Sequence, residues 1–134
     1  MINYNIKKYF IFVLIITFFV PNYNNAKEIL IYADNISYDD DENIIARGNA
    51  KVFRNNQYIF SDLIIYEKKN NIIKLPKTFT FKDDQNNYFM GSSGFFKRDL
   101  NYAEINDVKI KLNDGSRIVG NKVKRDEHID IISK

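Results

Sequence analysis

The sequence predicts an all-β domain of short antiparallel strands behind an N-terminal export segment. Three observations predict it. Apolar and polar residues alternate along short runs, clusters of Asp, Asn, Lys and Gly break those runs, and one two-strand pattern recurs every 28–30 residues. No long segment beyond residue 26 has helical spacing.

Residues 1–26 read as a signal peptide: Lys7 and Lys8 form a basic start, Tyr9 to Val20 is an apolar run, and Pro21 ends it. The run is about a dozen residues, short of the roughly 20 that a helix needs to cross a bilayer. Cleavage after Ala26 is expected, leaving 27–134 as one periplasmic β-domain. Asn24 stands where such sites prefer a small apolar residue, so an uncleaved anchor is the alternative. The chain has no cysteine, which excludes a lipoprotein signal and any disulfide. The net charge is +3, from 20 basic and 17 acidic residues; without Lys7 and Lys8 it is 18 against 17. That near-balance argues against nucleic-acid binding, which needs cations clustered against phosphates.

The strand breaks fall at YDDDEN, RNNQ, EKKNN, KDDQNN, KRDLN, LNDGS and KRDEH, compositions that suit tight turns. Overlaying the segments reveals the repeat. IYADNISYDDDENIIARGNAKVF from Ile31 lies over IFSDLIIYEKKNNIIKLPKTFTF from Ile59, with Ala33-Asp34 over Ser61-Asp62 and Tyr38 over Tyr66. A third copy from Phe89 puts Gly91-Ser92 at that step and Phe96 at the aromatic one; a fourth from Ile118 puts Gly120-Asn121 there. A repeat of this size marks units that cannot bury their apolar faces alone.

Alternation with period two gives the sheet one apolar and one wet face. The residues that carry it are Ile36 and Tyr38, Ala50 and Val52, Ile64 and Tyr66, and Val108, Ile110 and Leu112; Lys109 and Lys111 point the other way. Pro76 cannot donate to a ladder and fits an edge or a bulge. Gly48 holds the equivalent place one repeat earlier, which predicts a repeated kink.

Little points to catalysis. Asp39 to Glu42 lack the glycine a calcium loop needs and read as a solvated hairpin tip. His128 is the one histidine, with no cysteine to share a metal and no motif for a triad, so no metal, cofactor or enzymatic activity is expected. Asp34 and Asp62 recur at one repeat step, which suits a structural, turn-capping role.

The repeat resembles the OstA-like repeat of the lipopolysaccharide transport proteins, in which an Ala-Asp step, a hairpin and a Gly-Asn strand alternate, here ADNISYDDDENIIARGNAKVF. The second copy departs from it with KLPKTF. Lys111 to Glu127, KLNDGSRIVGNKVKRDE, is similar to the stretch that closes the periplasmic domain of the LptD family of LPS-assembly proteins, and less so to the LptA family. The resemblance covers about residues 29–132. The barrel into which LptD proteins continue is absent, so a truncated LptD and a stand-alone LptA-like relative both stay open. The resemblance implies a V-shaped β-jellyroll, or β-taco, whose apolar trough binds the acyl chains of lipopolysaccharide and passes it to the outer membrane. Ile36, Tyr38, Ala50, Val52, Ile64, Tyr66, Phe96, Val108, Ile110 and Leu112 are the candidate lining. The implied partners are lipopolysaccharide, an LptA-like bridge joined by end-to-end strand pairing, and an LptE-like lipoprotein beside the full-length barrel. The same alternation would also build a structural or adhesive β-solenoid with a filled core.

Overall fold

A computed structural model describes residues 28–127 and 129–134; the export segment and His128 lie outside the described residues. Eleven strands form one antiparallel sheet: β1 (Leu30–Tyr32), β2 (Asn35–Tyr38), β3 (Ile44–Arg54), β4 (Gln57–Glu67), β5 (Ile72–Leu75), β6 (Phe79–Lys82), β7 (Tyr88–Gly91), β8 (Ser93–Lys97), β9 (Tyr102–Lys111), β10 (Arg117–Asp126) and β11 (Ile129–Ser133). No helix occurs among the described residues.

The strands make a simple meander once their interruptions are understood. β5 and β6 both pair with β4, β7 and β8 both pair with β9, and β1 and β2 both pair with β3. Each such couple is therefore one limb broken in the middle, whereas β3, β4, β9 and β10 run through the same line unbroken.

That line is a corner. Along it the ladder skips residues: Arg47–Leu63 pairing resumes at Ala50–Ser61, and Gly120–Val108 resumes at Lys122–Asn106. Gly48 (φ 75°), Asn49 (φ 45°) and Asp107 (φ 49°) take left-handed conformations there. Small polar groups replace the lost ladder bonds. Asp34 N–H donates to Gly48 O at 2.9 Å, Asn49 Nδ2 to Asp34 Oδ2 at 2.9 Å, Ser61 Oγ to Thr78 O at 2.9 Å, and Ser92 Oγ to Asp107 Oδ2 at 2.7 Å. The recurring step Ala33-Asp34, Ser61-Asp62, Gly91-Ser92 and Gly120-Asn121 thus marks where alternate limbs turn the corner. Gly48 and Pro76 do share a kink: the first is a bulge in β3, the second the break between β5 and β6.

Folding along the corner brings two layers face to face. One holds β2, β5, β8 and β11 with the adjoining halves of the through-strands; the other holds β1, β6 and β7 with the remaining halves. Phe96 of β8 pairs in register with Ile73 and Ala103, yet its ring lies 4.7 Å from Phe81 and 5.9 Å from Phe79, both on β6. Only a sheet folded on itself allows that. The polar clusters form the hairpin tips. Asp39, in the exposed tip after β2, accepts the backbone N–H groups of Asp41 and Asn43 and the Asn43 amide, and these bonds hold its carboxyl below the ordinary range.

Gly48 tests the corner. A Cβ there would lie 2.7 Å from Asp34 Oδ2 in a left-handed conformation, whereas Gly115 (φ 88°) has the same backbone constraint and open space around it. Gly48→Ala should therefore lose about 1–3 kcal/mol in urea denaturation, and Gly115→Ala only about 1 kcal/mol. Equal losses would remove the Asp34 contact from the account.

Candidate functional site

Cross-strand register arranges the inner face in rows. One runs Tyr38, Ile44, Tyr66, Ile73, Phe96, Ala103, Arg125; another Ile36, Ala46, Ile64; and, past the corner, a third Ile31, Val52, Ile59, Phe81, Phe89, Ile110, Ile118. All ten residues singled out from the sequence fall on this inner side. The structure nevertheless treats them unequally. Ala50, Val52, Ile64, Tyr66, Phe96, Val108 and Ile110 are buried and Leu112 packs against them, whereas Ile36 is 45% and Tyr38 64% exposed. β2 is the edge strand of its layer, and among the described residues Ile36 and Tyr38 stay open to solvent there, with the Lys68 ammonium 5.1 Å from the Tyr38 ring centre. The middle of the site is packed solid by Phe81, Phe89 and Phe96. Its accessible apolar part is the end built by β1 and β2.

Opposite the corner, the lips of the two layers are latched. Arg54, at the end of β3, donates from Nη1 to the Arg98 carbonyl beyond β8 at 3.0 Å, and Leu100 in the same turn is fully buried. Farther along, Arg125 of β10 reaches across to Asp83, the first residue after β6, at 3.3 Å, with both side chains almost wholly buried. The guanidinium also lies over the Phe81 and Phe89 rings at 5.3 and 5.2 Å. Asp83 is held in place because its carboxylate accepts the Gln85 and Asn87 backbone N–H groups and the Asn87 amide. Among the described residues, Nε of Arg54 and of Arg125 is buried without a hydrogen-bond partner, so each latch is incompletely satisfied.

Sequence reasoning missed these latch residues. A signal for Arg125 existed, since it alternates with inward Val123. Asp83-x-x-x-Asn87 likewise copies the Asp39-x-x-x-Asn43 turn, but nothing local says that one tip is buried and the other wet. The outer face of the layer holding β5 and β8 carries ordinary ion pairs. Lys74 binds Glu67, and Lys122 and Lys124 lie 2.8 and 3.6 Å from Glu104. Lys74 and Lys122 hold the two glutamates below the ordinary carboxylate range. Among the described residues, no three His, Cys, Asp or Glu side chains converge to hold a metal ion.

No protein-family model matches the sequence, and no curated protein matches it. Solved structures do match. The chain is similar to LptH from Pseudomonas aeruginosa, with a TM-score of 0.67 and 16% identity over 79% of this chain and 82% of that one. LptH is described as the LptA-homologous periplasmic component of the conserved lipopolysaccharide transport device. The fold is LptA-like. The β-jellyroll expected from the OstA-like repeat is thus borne out, and the likeness is to an LptA homologue, with LptD not singled out.

Asp83→Ala would leave the Arg125 guanidinium buried and unpaired, which should cost about 3–5 kcal/mol in chemical denaturation. Asp39→Ala removes the same turn bonds from an exposed tip and should cost a small fraction of that. Comparable losses would mean that the turn, and not the latch, carries the effect.

Proposed function

We propose that this domain is a periplasmic lipopolysaccharide carrier that holds acyl chains on its inner apolar face. One observation carries the reading: in an LptA-like fold, the inner face is apolar nearly from limb to limb and ends uncovered at the β1–β2 edge, where Ile36 and Tyr38 meet solvent. Acyl chains seat at that edge first and move inward as the lips part. Burial of each methylene contributes about 0.8 kcal/mol, so a chain sharing the interior offsets the core contacts it displaces. The lips are held by two arginine latches and buried Leu100, against strands that run unbroken through the corner, which leaves the corner as the hinge.

Onward delivery to the outer membrane belongs to the same reading. Among the described residues, both ends of the meander leave strands with an unpaired side, β1 and β2 at one end and β11 at the other, which suits strand pairing with another module of the same type. The LptD-type alternative, with a barrel and an LptE-like lipoprotein as partner, is supported by the Lys111–Glu127 segment alone.

A second reading, a structural or adhesive β-solenoid, is favoured by the packed middle, where Val52, Ile59, Phe81, Phe96 and Ile105 have no exposure.

A photo-crosslinking residue at position 36 separates the two. It should capture lipopolysaccharide in cells, whereas one at position 124, on the outer face of the β5 and β8 layer, should not. Capture from neither position, or equally from both, would favour the filled solenoid.

A further inference from the structure

The outer face of the layer built on β1, β6 and β7 differs from that of its partner layer. Two adjacent rows cross all seven limbs that form it. The first reads Tyr32, Lys51, Phe60, Thr80, Met90, Lys109, Val119; the second Leu30, Phe53, Tyr58, Lys82, Tyr88, Lys111, Arg117. These rows hold five cations and no carboxylate; Asp34, Asp62 and Asp107 border them along the corner, and Asp84 and Asp114 at the tips. The ion pairs Lys74–Glu67, Lys122–Glu104, Lys124–Glu104 and Arg125–Asp83 all lie elsewhere. Two of the lysines here lie over rings, Lys51 over Phe60 at 5.6 Å and Lys82 over Tyr58 at 5.9 Å, as Lys97 does over Tyr102 in the partner layer.

The apolar members are also unusually exposed. Leu30 (50%), Tyr32 (55%), Phe60 (36%), Met90 (42%) and Val119 (67%) make up most of the exposed large apolar residues of the described chain. Four of them fall in the single row that alternates with Lys51, Thr80 and Lys109. Between them, Lys51, Phe53, Tyr58, Phe60 and Thr80 line a shallow depression of about 410 Å³.

We infer that this strip docks the domain flat against an anionic phospholipid bilayer. Aromatic and aliphatic side chains favour the zone between headgroups and acyl chains, and lysines among them reach phosphates while their stems stay on apolar ground. The rows themselves carry no carboxylate, so the repulsion that such a surface would impose is confined to the aspartates at the corner and the tips. A soluble polyanion would engage the cations but leave Leu30, Met90 and Val119 without a role, so the mixture favours a membrane. This surface lies on the side of the sheet opposite the lipid-carrying face and does not rest on that reading.

Co-sedimentation of the full chain with vesicles tests the inference, comparing phosphatidylcholine alone with an equal mixture of phosphatidylglycerol and phosphatidylcholine. The expected result is stronger binding to the anionic vesicles, weakened by salt. Lys51→Glu with Lys109→Glu should reduce that affinity by roughly tenfold or more. Lys69→Glu with Lys97→Glu changes net charge equally on other surfaces and should reduce it by less than about twofold. Residues 1–26 are common to all these proteins, so the difference reads the strip. If the first pair fails to fold by circular dichroism, Lys51→Gln with Lys109→Gln carries the same comparison. Equal losses from both pairs, no preference for anionic vesicles, or strip-dependent binding only to a soluble polyanion such as dextran sulfate would overturn it.

Discussion

The structure depends on one constraint: every limb of the meander before the last, β11, must turn the same corner. An alternating sheet left flat would present its apolar face to water. Burying each Ile, Val or Phe stabilises the chain by about 1.5–3 kcal/mol, and only the lengthwise fold makes that burial possible. The turn interrupts the ladder in each limb, and an unpaired buried backbone group costs about as much as a lost hydrogen bond. Asp34, Asn49, Ser61, Ser92 and Asp107 solve this with side chains short enough to bond the backbone or one another at the corner. The repeat exists because the corner does.

From that corner the rest follows. Two layers hinged on one side meet at lips on the other, and the lips are held by Arg54 on the Arg98 carbonyl, by Leu100, and by Arg125 on Asp83. The asymmetry suits the carrier proposed above, which would hide its own apolar face when empty behind these contacts at the lips. The edges are the exception, because an end strand has a neighbour on one side only. Ile36 and Tyr38 stay exposed for that reason, not because their positions differ chemically from those of Ala46 or Tyr66.

Much of this was legible in the sequence. Period two fixed which residues share a face, and the ten candidate lining residues do share one. The Asp and Asn clusters located the hairpin tips, and the equivalence of Gly48 and Pro76 located the corner. What alternation cannot supply is the neighbour across a layer. Thus it gave no warning that Ile36 would be open and Ile64 closed, or that the Asp83 tip would be buried under Arg125. The cationic and aromatic strip was invisible for the same reason. Lys51, Phe60, Met90 and Lys109 come from β3, β4, β7 and β9, and they become one row only when the registers of all those strands are known.

The central claim is that the interior takes up lipid by parting the lips about the corner. Spin labels at Asn56, in the tip between β3 and β4, and at Asp99, in the tip between β8 and β9, report the separation of the two lips by pulsed electron resonance. The account predicts a single short distance in the lipid-free chain and a shift to longer distances when lipopolysaccharide binds. An unchanged distance in chain shown by native mass spectrometry to carry lipopolysaccharide would contradict it.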